Sequence, residues 1–136
     1  MRSIEDQLIL HEGMRLKPYY CTAGKLTIGV GRNLEDRGIT EQEARMMLQN
    51  DIAEIVEWVK RFDWYPKLNN VRKKVIIDMV FNLGKGGFLS FQRTIGHLEG
   101  GDYTAAADEM LNSRWAEQVG QRAERLSKMM LTGKDY

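Results

Sequence analysis

The sequence is poor in the residues that form cross-links and bind metals. It has one cysteine, Cys21, and two histidines, His11 and His97. A single cysteine cannot form an internal disulfide, and no cysteine–histidine spacing typical of a metal site exists. No glycine-rich phosphate loop follows a strand, since Gly29 to Gly31 is interpreted as hairpin geometry. We therefore expect a protein that tolerates a reducing compartment and needs no metal or cofactor.

The sequence also lacks a long apolar run and an excess of either charge. Twenty basic and nineteen acidic residues leave a net charge of +1, which argues against a dedicated nucleic-acid-binding protein. No apolar run reaches the ~18 residues of a membrane span, and the N-terminus has no apolar signal-peptide segment. We expect no membrane insertion, and synthesis in the cytosol. The 136 residues, 43% of them apolar, suffice for one domain with a hydrophobic core.

The first helix is predicted from its cap and its apolar spacing. Ser3 can cap the helix, and Gly13 supplies a stop. Ile4, Leu8 and Glu12 fall on one face, so the carboxylate continues the apolar stripe. Burial and the negative end of the helix dipole would both favour the protonated acid. Glu12 is thus a candidate proton donor.

A hairpin is predicted over residues 18–32. Gly24 can take the positive φ that its turn requires. The apolar residues of the second strand share one face, namely Leu26, Ile28 and Val30. Thr27 should then face solvent or a cleft. Glu12, Cys21 and Thr27 can therefore converge on one groove between the helix and the hairpin.

Helices are predicted for the rest of the chain, after a polar connector at residues 33–38. Thr40 and Glu43 form a capping box for a long helix that reaches about residue 61. Its apolar stripe consists of Ala44, Met47, Leu48, Ile52, Ile55 and Val59.

A core helix is predicted over residues 70–83, because from Val75 onward it is apolar almost all round. Asp78 and Asn82 are its polar exceptions and need partners. Gly84 should end it. Shorter helices are predicted over residues 90–98, from the cap Asp102 to 111, and over 121–131. A short turn is predicted at 113–118.

The spacing of Glu12, Cys21 and Thr27 resembles a known family pattern. The phage-type (T4-like) lysozymes, glycoside hydrolase family 24, have a catalytic glutamate, then an aspartate or cysteine after eight intervening residues, and then a threonine after five more. The resemblance covers nearly the whole chain, in three blocks that follow the family order: residues 12–31, the central helix at 71–84 and the C-terminal signature at 113–123.

This resemblance implies a mostly α member of the α+β class. The fold would be a lysozyme-like two-lobed domain, with a small β-hairpin in the N-terminal lobe, a long linker helix and a C-terminal helical lobe. Residues 1–136 would form this single domain. Its parts would be the hairpin lobe at about 13–39, the linker helix at about 40–61, and the helical lobe at about 62–136 together with 1–12.

The resemblance also implies catalytic roles. Glu12 would protonate the leaving glycosidic oxygen, and Thr27 would position the attacking water. Cys21 stands where most relatives have aspartate. Its thiolate could act as base, electrostatic stabiliser or nucleophile, with Arg32 or Lys25 as the cation that favours ionisation. We expect inversion at the anomeric carbon, with a covalent glycosyl-enzyme as the alternative. Outside the family pattern, these residues would be a solvated glutamate, a β-forming threonine and a small buried cysteine.

Four further residues match family positions near the substrate. Arg122 matches an arginine that pairs with the catalytic glutamate across the lobes and would orient it, the alternative being a surface arginine. Phe81 matches an aromatic residue that contacts substrate, the alternative being core packing. Arg32 replaces a family histidine and either contacts substrate or caps the hairpin. Asn82 lies where relatives place a polar residue near the saccharide.

The implied function is that of a muramidase. Such an endolysin hydrolyses the β-1,4 bond between N-acetylmuramic acid and N-acetylglucosamine in peptidoglycan and lyses bacterial cells. We expect a monomer made in the host bacterial cytoplasm that needs a holin-type pore to reach the wall. Two alternatives remain open. One is a catalytically weakened peptidoglycan-binding module, such as a wall-docking part of a virion; the other is a lytic transglycosylase that uses Glu12 alone and yields an anhydro-sugar.

Overall fold

A computed structural model describes residues 1–136 as seven helices and a three-stranded sheet, which confirms the mostly α, α+β class. The strands are β1 Arg15–Tyr20, β2 Leu26–Gly29 and β3 Arg32–Asn33. The helices are α1 Ile4–Glu12, α2 Glu41–Val59, α3 Asn70–Leu89, α4 Gln92–Glu99, α5 Tyr103–Leu111, α6 Arg114–Val119 and α7 Gln121–Thr132. None of these helices is both long and apolar enough to cross a bilayer.

The chain divides into two compact units, Met1–Met47 and Leu48–Tyr136, with the boundary inside α2. The N-terminal unit contains α1 and the sheet, and the C-terminal unit contains α3 to α7. The lobe boundaries expected from the sequence stay a prediction.

Local signals set the ends of α1 as expected. The Ser3 hydroxyl accepts a hydrogen bond from the backbone N–H of Asp6 at 3.0 Å, and the helix ends before Gly13. The expected apolar burial is not found, because Ile4 and Leu8 are 64% and 47% exposed and no residue of α1 is buried. The strands of this unit are only two to six residues long. The sheet is therefore small and leaves the apolar face of α1 exposed.

The sheet is larger than the predicted hairpin. β1 begins at Arg15, and β2 pairs antiparallel with both β1 and a third strand, β3. The predicted turn is confirmed, with Gly24 at a φ of 75°. A second reversal, with Gly31 at a φ of 65°, returns the chain beside β2. This second turn extends the hairpin into a sheet.

Thr27 lies in the middle of this sheet, and only 3% of its surface is exposed. It pairs with Tyr19 of β1 and with Asn33 of β3. Thr27 is therefore not open to solvent, and of the two predicted settings only a cleft remains. Alternation along β2 predicts the two faces of a hairpin, but a central strand loses more surface than an edge strand does.

The capping box of α2 is confirmed. The backbone N–H of Glu43 donates to the Thr40 hydroxyl at 3.1 Å, and that of Thr40 donates to the Glu43 carboxylate at 2.9 Å. α2 ends at Val59, shortly before residue 61. Of its apolar stripe, only Ile55 and Val59 are buried.

The core of the C-terminal unit is built on α3. Val75, Ile76 and Met79 of this helix are fully buried, and other core side chains are Phe88, Leu98, Met110 and Met130. The helical backbone breaks at Gly84, as expected, but helical turns resume and run to Leu89. The helices α4, α5 and α7 lie within about two residues of the predicted ranges, and Asp102 caps α5 as predicted. The segment predicted as a short turn at 113–118 is instead the helix α6, which the Ser113 side chain caps.

Arg72 fastens the end of α7 to the start of α3. Its Nε donates to the Met130 carbonyl at 2.7 Å, and its Nη2 donates to the Leu131 carbonyl at 3.1 Å. Its guanidinium carbon lies 4.2 Å from the centroid of the Tyr103 ring on α5. Carbonyl groups in the last turn of a helix have no hydrogen-bond partner within that helix. Arg72 supplies this partner for α7 and thereby connects α3, α5 and α7.

Arg72→Ala should lower the free energy of unfolding by about 2 kcal/mol, because it removes two charge-assisted hydrogen bonds and a cation–π contact. Urea denaturation followed by tryptophan fluorescence measures this loss. Arg125→Ala is the matched control, since Arg125 is exposed on α7 and should change the free energy by less than about 0.5 kcal/mol. If both variants lose the same unfolding free energy, the contacts of Arg72 do not stabilise the protein in the way described.

Candidate active site

Glu12 is the last residue of α1, and its carboxylate rests against the turn between β2 and β3. A Cβ added to Gly31 would lie 2.9 Å from Glu12 Oε2 and 3.3 Å from Glu12 Cδ. Gly31 also has a positive φ of 65°, which disfavours side chains. Two separate reasons therefore require glycine at this position. The sequence pattern predicts only a turn there, since the contact depends on where α1 lies against the sheet.

The expected burial of Glu12 is not found. Its side chain is exposed, like Ile4 and Leu8 on the same face of α1. The spacing correctly predicts a shared face, but nothing in the N-terminal unit covers that face. The carboxylate thus approaches Gly31 closely without being buried.

Cys21 follows β1 directly and belongs to the turn between β1 and β2. The backbone N–H groups of Lys25 and then of Ala23 hold the pKa of the Cys21 thiol below its usual value. Desolvation opposes this effect, and the Thr27 hydroxyl adds to it. Hydrogen bonds to a charged group favour its charged form. The turn therefore favours the thiolate of a side chain that is only half-buried.

The cations expected beside Cys21 are bound to carboxylates of their own. Lys25 Nζ lies 3.4 Å from an Asp36 carboxylate oxygen. Arg32 donates from Nη1 and Nη2 to the two carboxylate oxygens of Glu43, at 2.9 and 2.8 Å. The expectation of a cation that lowers the thiol pKa is thus wrong, and backbone N–H dipoles supply the effect instead.

The Arg32–Glu43 pair connects β3 to the first turn of α2. Hydrogen bonds from the Arg32 guanidinium lower the pKa of Glu43 to about 2, and Glu43 in turn raises the pKa of Arg32. Arg32 also donates to the Gly38 carbonyl at 3.2 Å. Of the two roles open to Arg32, this geometry favours capping of the sheet over contact with a substrate.

Thr27 lies on β2, just after the turn that contains Cys21. Its hydroxyl donates to the Lys25 carbonyl at 2.9 Å, and it also helps to lower the pKa of the Cys21 thiol. A hydroxyl has one proton, so it can donate to only one of these two groups at a time. The structure thus places Cys21 and Thr27 close together, and the predicted groove that both would share with Glu12 stays a prediction.

In the C-terminal unit, Phe81 lies outside the core and is 48% exposed. It lines an apolar groove of about 310 Å³, whose other lining residues are Leu48, Ile52, Lys74, Ile77, Asp78 and Arg122. The core-packing alternative for Phe81 is therefore wrong. An exposed aromatic ring in a groove can contact a ligand.

Arg122 lies in the first turn of α7 and pairs with Asp78 of α3. Its Nε and Nη2 lie 2.8 and 2.7 Å from the same carboxylate oxygen, Oδ1. Asp78 thus has the partner that its place on an apolar helix requires. Both side chains remain about two-fifths exposed.

Asn82 also has the partner that its place on α3 requires. Its side-chain oxygen accepts a hydrogen bond from Trp115 Nε1 at 2.6 Å. Trp115 is 4% exposed and, with Glu109 and Ser113, lines a second groove of about 600 Å³. Asn82 therefore orients a buried indole beside that groove.

Comparison with known proteins gives one consistent result. The family model for phage lysozyme matches residues 10–129. Probable T4-type lysozyme 1 of Dictyostelium discoideum is 29% identical to the chain, over 96% of the chain and 95% of that protein. The endolysin of Acyrthosiphon pisum secondary endosymbiont phage 1 is 33% identical, over 90% and 86%. The pre-baseplate central spike protein Gp5 of Enterobacteria phage T4 is 26% identical over 96% of the chain, which covers 28% of the spike protein.

The lowered pKa of Cys21 predicts thiolate at pH values where an ordinary cysteine is protonated. The rate of alkylation by iodoacetamide should reach half its alkaline plateau below pH 9.0, the ordinary value of this thiol. Thr27→Val should move this midpoint upward, because it removes one donor. Thr22→Val, an exposed change in the same turn, should not. A wild-type midpoint at or above 9.0 would contradict the prediction.

Gly31→Ala and Gly24→Ala separate the close contact of Glu12 from backbone strain. Both glycines have positive φ, at 65° and 75°, so each alanine should cost about 1 kcal/mol of strain. Only the new Cβ at residue 31 meets another side chain. The ¹³C chemical shift of the Glu12 side-chain carboxyl should change in Gly31→Ala and stay unchanged in Gly24→Ala. If neither variant alters the shift, the carboxylate does not rest on Gly31.

Proposed function

The chain belongs to the phage lysozyme family of glycoside hydrolases, and we propose that it is a muramidase that acts on peptidoglycan. The bond cleaved is the β-1,4 link between N-acetylmuramic acid and N-acetylglucosamine. The observation that carries this proposal is the position of Cys21 in the turn that leads into β2, close to Thr27 on that strand. With Glu12, these residues keep the catalytic spacing of the family.

Glu12 is the proposed general acid. Its exposed carboxyl group has no ion-pair partner in the N-terminal unit and is held against Gly31. A carboxyl group in that position is accessible to a glycosidic oxygen, which it protonates as the bond to the anomeric carbon breaks.

Thr27 and Cys21 are the proposed partners of the attacking water. The Cys21 thiolate accepts a proton from this water or offsets the positive charge that develops on the sugar, and the Thr27 hydroxyl holds the water by a hydrogen bond. Attack by water from the face opposite the leaving group inverts the anomeric configuration. We therefore assign an inverting mechanism to this chain.

The remaining site residues divide into two groups. Arg122 and Phe81 are proposed to contact the saccharide from the groove of the C-terminal unit. Arg32 and Asn82 are proposed to orient other groups, since Arg32 is bound to Glu43 and Asn82 to Trp115.

We propose that the protein acts as an endolysin in bacterial lysis. Relatives named endolysin and T4-type lysozyme, matched over most of their length, support this role. In it, a monomer is made in the cytoplasm of the host bacterium and reaches the wall through a holin-type pore.

A wall-binding module with weakened catalysis is the second candidate. Two observations favour it: Cys21 replaces the aspartate that most relatives have, and the chain also matches a segment of a spike protein. In that case Glu12 and Thr27 would be retained without turnover.

Variants of Glu12 and Cys21 test these candidates by the rate at which permeabilised Gram-negative cells lose turbidity. Glu12→Gln should reduce lysis about a hundredfold or more, because the amide cannot donate the required proton. Cys21→Ala should reduce lysis to a similar degree, and Cys21→Asp should stay within about tenfold of wild type, because a carboxylate can also hold the water. Glu5→Gln, an exposed change on α1, is the control. If the wild-type protein does not lyse cells and Cys21→Asp does, the protein is a binding module derived from an enzyme.

The released saccharides give a separate check on the reaction. Hydrolysis yields a reducing end of inverted configuration in the first ¹H NMR spectra. A retained configuration would overturn the inverting mechanism, and an anhydro-sugar mass would identify a lytic transglycosylase.

A further inference from the structure

The groove that contains Phe81 combines an apolar floor with a charge-balanced rim. Four of its seven lining residues are apolar, Leu48, Ile52, Ile77 and Phe81. Its two cations each have a carboxylate partner: Lys74 Nζ lies 2.6 Å from Asp135, and Arg122 is bound to Asp78. A neutral ligand with one apolar face and several polar edge groups fits such a groove better than an anion does.

The Asp78–Arg122 pair defines how the guanidinium is presented at this rim. Both Nε and Nη2 of Arg122 approach the single oxygen Oδ1 of Asp78. Arg122 Nη1 and Asp78 Oδ2 take no part in this contact and have no other hydrogen-bond partner in the C-terminal unit. The pair therefore offers a donor and an acceptor side by side, next to the exposed ring of Phe81.

The contribution of this pair to stability is small. Its side chains are 41% and 40% exposed, and ion pairs at such exposure add little to folding free energy. Asp78 also stands on a helix that is otherwise apolar in this stretch, where an apolar residue would pack without needing a partner. What the Asp78 carboxylate does in the structure is to hold the Arg122 guanidinium at the rim of the groove.

We propose that Asp78 is a positioning residue, which holds the Arg122 guanidinium so that the pair binds the hydroxyl or acetamido group of an amino sugar seated on Phe81. This inference rests on the proposed function for the identity of the saccharide. It adds a residue that lies outside the family catalytic pattern and acts through Arg122. The fixed guanidinium loses less conformational freedom when the sugar binds.

Asp78→Asn, Asp78→Glu, Arg122→Gln and the double variant Asp78→Asn/Arg122→Gln test this role. Two readouts are used: KM and kcat on purified peptidoglycan, and the Kd for a chitin tetrasaccharide by titration calorimetry. Glu57→Gln removes the carboxylate of an exposed α2 ion pair, Lys60–Glu57, and is the control for loss of charge.

Asp78→Asn should raise KM and Kd about threefold to tenfold with kcat within about twofold, because the lost contact binds ground state and transition state alike. Asp78→Glu should restore most of the affinity. In the Arg122→Gln background, Asp78→Asn should have no further effect, since residues that act through one another are not additive. Glu57→Gln should match wild type, and all melting temperatures should stay close together.

Each contrary result has its own meaning. Additive effects of Asp78→Asn and Arg122→Gln would overturn the inference, as would wild-type affinity in Asp78→Asn. Failure of the wild-type protein to bind the tetrasaccharide would overturn it too. If the wild-type protein binds the tetrasaccharide but does not cleave peptidoglycan, the proposed function fails while the calorimetric comparison still decides the role of Asp78.

Discussion

The close approach of the Glu12 carboxylate to Gly31 is the constraint on which the N-terminal unit depends. The carboxylate occupies space that any other residue at position 31 would fill. The same glycine reverses the chain, so that β3 can pair with β2. One position therefore places the proposed acid and completes the sheet that carries Thr27. Because the N-terminal unit has few buried side chains, backbone geometry has to supply the order that packing supplies in the C-terminal core.

Ion pairs are a second feature of the structure. The arginines near the candidate site each bind a carboxylate in their own unit. Arg32 binds Glu43, and Arg122 binds Asp78. A cation that already has a carboxylate partner exerts a weaker field on other groups. Thus Arg32 serves to attach the sheet to α2, and the ionisation of Cys21 is controlled by backbone dipoles that cannot move away.

The sequence predicts correctly those features that depend on residues close together in the chain, and it fails for features that depend on residues far apart. Caps and turns are encoded within four residues, so the start of α1, the capping box of α2 and the turn at Gly24 are all confirmed. The third strand and the burial of Thr27 depend on a chain reversal after β2, which alternation along β2 cannot reveal. Periodicity likewise places Glu12 on an apolar face correctly but cannot say whether another element covers that face. Asp78 shows the same limit for charged residues. The sequence indicates that Asp78 needs a partner, but it cannot identify Arg122, which lies forty-four residues later in the chain.

The environment of Cys21 bears on what a thiolate can do in the place of an aspartate. The N–H groups that lower its pKa do so by stabilising the negative charge on sulfur. The same stabilisation reduces intrinsic nucleophilicity, which falls as the pKa of a thiol falls. A thiolate surrounded by fixed donors is therefore better suited to hold charge and water than to attack carbon. Thr27 strengthens this bias, because its hydroxyl can turn from the Lys25 carbonyl to the sulfur and add another donor. The turn lowers the pKa of the Cys21 thiol and so favours the charged form of sulfur, which makes cysteine at this position compatible with the proposed inversion.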